Sequence, residues 1–203
     1  MRIAVYGGTF NPIHNAHLHL MRSFAEAMQF DRIILMPSHT PPHKSGKALA
    51  SPEDRLAMCR LAVANEAFPV EVSEMEIRRG GASYTADTLE ALHRENPQDE
   101  LFLLMGEDMF LSLAKWYDPQ RIFRYAKICA APRSREGLAN LAAYEKTLAA
   151  LGAQCFLKEI AYLPVSSTMV REAVRARKSI RALVPEAVAA YIETHGLYRA
   201  QEA

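Results

Sequence analysis

The chain has 203 residues, half of them hydrophobic, and its 24 Lys and Arg nearly balance its 23 Asp and Glu for a net charge of +1. That length and composition suit one domain with a sizeable core. The charge balance excludes a global field for nucleic acid or an anionic membrane, so any anion must be held by local clusters.

Residues 2–6 (R-I-A-V-Y) read as a buried strand. Gly7-Gly8-Thr9-Phe10-Asn11-Pro12-Ile13-His14-Asn15-Ala16-His17 follows. Two glycines allow a tight bend and close approach of a ligand to the backbone, and Asn11-Pro12 turns the chain again. Leu18, Met21, Phe24, Ala25 and Met28 then recur at helical spacing. The stretch is therefore a strand, a turn and a helix start, and a helix start presents free N–H groups and partial positive charge to phosphate. His14 and His17, three apart, share a face of the first turn, adding donors, and positive charge when protonated. The pattern is neither the dinucleotide fingerprint G-x-G-x-x-G nor a Walker A loop.

Residues 32–36 form a second strand, ending in an irregular loop, 37–47, with three prolines and the basic groups His39, His43, Lys44 and Lys47. Such a loop lies beyond the carboxyl end of a parallel strand, where open α/β sheets bind ligands; its irregularity makes it the candidate mobile flap. Ser51-Pro52-Glu53-Asp54 starts a helix. Residues 70–77 alternate and predict a half-exposed strand, closed by Arg78-Arg79-Gly80-Gly81. Ser83-Tyr84-Thr85-Ala86-Asp87-Thr88 opens a helix, with the hydroxyls and Asp87 as candidate caps. The apolar run 101–105 suits a central parallel strand and ends in Gly106-Glu107-Asp108. A short helix, the only tryptophan, Trp116, then Tyr117 and a helix from Asp118-Pro119 follow. Residues 127–131 are the next strand, 136–151 are helical, and 154–158 and 160–163 are short strand candidates. Ser166 or Ser167 caps a helix on which Arg171, one turn in, can reach back to an anion at the helix start. A last helix spans 185–195 and stops at Gly196.

Taken singly, each piece also fits a plainer reading: an ordinary turn, a solvated connector, a Ser-capped helix, a core tryptophan. Alternating strands and helices predict an α/β fold, a doubly wound parallel sheet with a small C-terminal helical part. Residues 1–203 read as one domain, with 166–203 as its C-terminal helical subregion. No stretch is long enough for a membrane span and the apolar start is too short for a secretory leader. Cys59, Cys129 and Cys155 form no C-x-x-C and read as reduced, buried thiols of a cytoplasmic protein.

In order and spacing, G-G-T-F-N-P-I-H-N-A-H, P-P-H-K at 41–44, S-Y-T-A-D-T-L from 83, G-E-D with W-Y at 106–117, S-S-T-M-V-R from 166 and H-G-L-Y from 195 resemble the bacterial nicotinate mononucleotide adenylyltransferases (NadD type). These belong to the nucleotidyltransferase superfamily with the H/T-x-G-H motif. The resemblance implies a Rossmann-like nucleotidyltransferase fold and transfer of AMP from ATP to nicotinate mononucleotide in NAD biosynthesis, with Mg²⁺ carried on the substrate. By position it implies that Gly8, Thr9 and Phe10 lie along the nucleotide, and that His14 and His17 hold ATP phosphates. Ser166, Ser167 and Arg171 would meet the β- and γ-phosphates, and Gly106 and Asp108 the ribose or adenylate site. His43 and Lys44 would meet the mononucleotide phosphate, and Thr85, Trp116 and Tyr117 the pyridine ring. The residues expected to act on the reacting phosphates are His14, His17 and Arg171, with no protein metal ligand. Three positions depart from the pattern: Ala16 for the hallmark Gly, Asn11 where Asp is common, and Arg133 two places beyond the usual Arg. Alternatives are another acceptor, nicotinamide mononucleotide or phosphopantetheine, or a nucleotide-binding module without turnover. The expected partners are the two nucleotides, with homo-oligomerisation left open and neither nucleic acid nor membrane involved.

Overall fold

A computed structural model describes residues 1–41 and 49–200. Its centre is a six-stranded parallel sheet of order β3-β2-β1-β4-β5-β6. The strands are β1 (Arg2–Gly8), β2 (Arg32–Pro37), β3 (Val70–Val72), β4 (Glu100–Gly106), β5 (Ala126–Ala131) and β6 (Cys155–Leu157). The chain winds outward from β1 to β3, then crosses back to place β4 on the other side of β1. The strand order therefore reverses between β1 and β4, and the carboxyl ends of those two strands flank the crevice where open α/β sheets take ligands.

Nine α-helices cover the two faces among the described residues: α1 (Asn15–Met28), α2 (Pro52–Val63), α3 (Met75–Arg79), α4 (Thr85–Glu95), α5 (Glu107–Phe110), α6 (Pro119–Tyr125), α7 (Arg135–Ala150), α8 (Ser167–Arg175) and α9 (Glu186–Thr194). Alternation along the central strands builds two cores. Ala4, Tyr6, Ile33, Leu35, Phe102 and Leu104 face one side, packing on Leu18, Met21 and Phe24 of α1 and Met58 and Cys59 of α2. Val170 of α8, Ile180, Val184, and Val188 and Ile192 of α9 join that same core. Ile3, Val5, Ile34, Met36, Leu103 and Met105 face the other side, against α4, α5, α6 and α7. With both faces covered, β1 and β4 bury continuous runs at 3–6 and 101–105, as the apolar run at 101–105 predicts.

Two predicted strands differ in the structure. The alternating stretch 70–77 is a strand only at Val70–Val72; Met75–Arg79 is a short helix. The ladder with β2 ends at Val72, and in the helix that follows Glu76, 6 % exposed, points inward and accepts a hydrogen bond from Thr88 Oγ1 at 2.6 Å. Residues 160–163 form no strand, since β6 pairs only with β5 and stops at Leu157. Among the described residues no helix is long and apolar enough to cross a membrane. All three cysteines are free, and burial pushes the thiols of Cys129 and Cys155 up to about 12 and 11.

Candidate active site

The turn after β1 is built differently from its sequence. Neither glycine takes a positive φ; the bend falls on Phe10, at φ +46°. Gly7 has open space where a Cβ would point, whereas a Cβ on Gly8 would lie 2.8 Å from the Phe10 ring. Gly8 is thus required by the Phe10 ring packed against the strand end, and that packing turns the following backbone into the crevice. Phe10 stacks edge-on to Tyr6 (5.5 Å) and to His17 (5.1 Å), which anchors the turn to the core.

Asn11 is the hub of the turn. It is 5 % exposed; its Oδ1 accepts from the Ala50 amide (2.9 Å) and from the Tyr198 hydroxyl (2.9 Å). Its backbone carbonyl accepts from Arg171 Nη1 at 2.8 Å, and the Pro12 carbonyl accepts from Ser167 Oγ at 2.9 Å. Two stretches about 155 residues apart in sequence thus meet in space. Asn15, at the start of α1, holds the same C-terminal region through the Leu183 carbonyl (2.9 Å) and the Ala182 carbonyl (3.1 Å).

His14 is the residue before α1, in extended conformation, and its amide donates to His17 Nδ1 at 3.2 Å. The two rings stack at 3.6 Å. His14 is 6 % exposed, and its buried Nδ1 finds no partner of hydrogen-bond geometry among the described residues. Burial first, and the Arg133 charge second, hold this imidazole down at about 4, so it is neutral at pH 7. The positive charge expected on protonation is thus absent from His14 at pH 7, and the neutral ring keeps one N–H donor. Ala16 lies within α1, at positions where the helix needs no glycine conformation.

At the α8 end, Ser166 Oγ accepts from the Met169 amide (3.2 Å) and is spent as the cap. Ser167 touches the turn instead, and Arg171 Nη2 also donates to Thr168 Oγ1 at 3.1 Å. Asp108, past Gly106 at the end of β4, pairs with Arg133 (2.6 Å), and both are largely exposed. The Arg133 amide donates to Glu107 at 2.7 Å. The displaced arginine thus returns to the carboxyl ends of β4 and β5.

On the second side, the Tyr84 and Tyr117 rings meet at a tilt of 37° with centroids 4.4 Å apart, bringing the start of α4, with Thr85, beside the 116–118 segment. Trp116 is half-buried, donating from Nε1 to Ser112 Oγ at 3.2 Å. Arg121 braces this wall through Asp87 (2.5 Å), Glu90 (3.0 Å) and Asp118 (3.3 Å). Asp87 is therefore an ion-pair partner rather than a cap, and Ser83 accepts from the His39 amide at 2.9 Å instead of capping α4. His43, Lys44 and most of the expected flap lie outside the described residues.

Sequence reasoning did not single out Arg55, which is 1 % exposed on α2 beneath both loops. It donates to the carbonyls of Thr9 (2.8 Å), Ser38 (2.6 Å), His39 (2.8 Å) and Ala50 (3.2 Å). Nor did it give Tyr198 a role beyond its motif. A second cleft sits at the opposite, amino end of the sheet, lined by Arg32, Glu71, Glu95 and Asp99; its acids oppose a triphosphate.

Residues 5–173 match the family model described as cytidylyltransferase-like. A probable nicotinate-nucleotide adenylyltransferase of Desulfatibacillum aliphaticivorans is 39 % identical, the match covering 98 % of this chain and all of that protein. One of Roseiflexus sp. (strain RS-1) is 42 % identical over 97 % of this chain and 98 % of its own. The nicotinic acid mononucleotide adenylyltransferase of Plasmodium falciparum, solved with NaAD, superposes with a TM-score of 0.79 at 17 % identity, covering 97 % of each chain, a likeness of fold. With relatives this similar over its whole length, the chain belongs to the nicotinate-nucleotide adenylyltransferase family.

Proposed function

We propose that the chain transfers the adenylyl group of ATP to nicotinate mononucleotide, forming nicotinate adenine dinucleotide and pyrophosphate in NAD biosynthesis. The observation that carries it is the bonding of Ser167 and Arg171 onto the Asn11-Pro12 carbonyls, beside His14 and His17. One triphosphate fits between those donor groups. The amides of Gly8, Thr9 and Phe10 run along the nucleotide, Gly106 and Asp108 take the ribose side, and Ser166 keeps the α8 start in place. Ser167 and Arg171 hold the β- and γ-phosphates, with Arg171 supplying a planar charged fork. Asp108 must exchange Arg133 for a ribose hydroxyl, which leaves that guanidinium free near the phosphates.

The mononucleotide phosphate oxygen attacks the α-phosphorus in line; the new P–O bond forms as the bond to pyrophosphate breaks. The attacking oxygen is already anionic, so no general base is required. The chain's contribution is alignment and neutralisation of charge on the leaving pyrophosphate. His14 and His17 donate to phosphate oxygens near the reacting centre. Mg²⁺ enters with ATP as part of the substrate. Among the described residues no three His, Cys, Asp or Glu are grouped to hold a metal ion, and Asp108 and Glu107 are engaged by Arg133. The pyridine ring lies against Trp116 and Tyr117 near Thr85, and His43 and Lys44 take the mononucleotide phosphate. Residues 166–203 act as a helical subregion of one domain, their apolar side chains sharing the sheet's core. The enzyme works in the cytoplasm with these two nucleotides as its partners.

The test is product identity. With MgATP and, in separate reactions, nicotinate mononucleotide, nicotinamide mononucleotide and phosphopantetheine, mass spectrometry should find the fastest pyrophosphate release and the matching dinucleotide with the nicotinate acceptor. Preference for another acceptor would replace the substrate assignment, and nucleotide binding with no pyrophosphate release would end the enzymatic one.

A further inference from the structure

We propose that Arg55 is a positioning residue that sets the spacing between the ATP turn and the wall that receives the second nucleotide. The inference rests on the adenylyl-transfer reading above. Arg55 sits in the first turns of α2, 1 % exposed. Among the described residues it has no carboxylate at ion-pair distance; its three nitrogens end instead on four backbone carbonyls. Nη1 bridges Thr9 and Ser38 (2.8 and 2.6 Å), Nη2 reaches His39 (2.8 Å), and Nε reaches Ala50 (3.2 Å).

A buried cation without a counter-ion is a costly choice for packing alone, since an apolar side chain of that volume is often as stable or more so. Its use follows from geometry. The guanidinium is a rigid planar fork, so carbonyls bound to it are fixed in direction as well as distance. Outside the β1–β2 ladder, one hydrogen bond between main chains ties the two loops directly among the described residues, from the Ser38 amide to the Gly8 carbonyl (2.9 Å). To that bond Arg55 adds grips on Thr9, Ser38 and His39, which fix the two loops in direction as well as distance. From His39 the path continues: its amide donates to Ser83 Oγ (2.9 Å), and the Ser83 amide donates to the Thr40 carbonyl (3.0 Å). Ser83 leads directly into Tyr84 and Thr85. One side chain thus joins the nucleotide turn at Thr9 to the segment carrying Thr85. In-line attack depends on that spacing, and a misplacement of about 1 Å costs roughly a hundredfold in rate.

Arg55→Lys keeps the charge and loses the fork. We expect kcat to fall by roughly ten- to a hundredfold, while the Kd of each nucleotide bound alone, by calorimetry, changes less than about threefold. That split is expected because neither half-site loses its own contacts. Arg55→Gln should fall at least as far. A folded Arg55→Lys protein with wild-type kcat, or with kcat intact and both Kd values raised, would overturn the role. A measurement on the wild-type chain serves if the variants do not fold: the ¹⁵N resonances of the Arg55 guanidinium should shift with ATP alone and with nicotinate mononucleotide alone. Response to neither, or to only one, overturns the inference. Wild-type chain that makes no dinucleotide counts against the reaction itself; active wild type with an equally active Arg55→Lys counts against Arg55 alone.

Discussion

Lowering the pH tests the site through His14. Its imidazole is 6 % exposed and is held at about 4, against an ordinary 6.5, chiefly by burial and then by Arg133. The unfolded chain regains the ordinary value. Between those two pH values the unfolded state therefore binds more protons than the folded one, and stability rises with pH across the window. A fall from 6.5 to about 4 corresponds to about 3 kcal/mol, all of it lost to the folded state by the time pH reaches the lower value. The assay is urea unfolding at several pH values from 7.5 to 4, for wild type and His14→Gln. Carboxylates titrate in the same range, so the informative quantity is the difference between the two proteins. Relative to the variant, wild type should lose about 3 kcal/mol as the pH falls, almost none of it above pH 7. ATP places negative charge beside the ring, so adding it should raise the pH at which His14 titrates and draw a proton into the complex. A difference independent of pH, or one that grows in favour of wild type on acidification, would refute the buried neutral imidazole and with it this account of the turn.

Other perturbations follow from the same contacts. If His17 donates to the reacting phosphates as proposed, His17→Ala should lower kcat by about a hundredfold or more, read by pyrophosphate release on protein with an unchanged melting profile. Gly8→Ala puts a methyl 2.8 Å from the Phe10 ring, itself 2 % exposed; overpacking should cost about 1–3 kcal/mol in denaturant unfolding. Tyr198→Phe leaves the Asn11 Oδ1 only the Ala50 amide among the bonds described above. It should cost about 1 kcal/mol and leave the product unchanged, and no change in the unfolding midpoint would remove Tyr198 from the turn.

The central strands were legible because four of the predicted strands, 2–6, 32–36, 101–105 and 127–131, carry the apolar runs that a sheet covered on both faces demands. The alternation at 70–77 misled because the ladder with β2 ends at Val72, and Glu76 lies on a short helix, buried against Thr88. The run 160–163 is apolar enough for a strand, but nothing pairs with it beyond Leu157. In the site, the helix-start motifs announced His14, His17, Ser167 and Arg171, since caps and helical spacing are local. Which partner each would take was not local: Ser167 and Arg171 bond to carbonyls rather than waiting free. Arg55 was invisible for a related reason. An arginine on a helix with acids in its first turn reads as surface, and only the fold brings Thr9, 46 residues away, to its guanidinium. Tyr198, 187 residues from Asn11, is the extreme case.

The most direct measurement is a crystal structure of the chain with Mg²⁺ and a non-hydrolysable ATP analogue. The account predicts the β- and γ-phosphates within hydrogen-bond reach of Arg171 and Ser167 and the α-phosphate facing His14 and His17. A triphosphate bound elsewhere, with Arg171 still on the Asn11 carbonyl and no phosphate near either histidine, would contradict it.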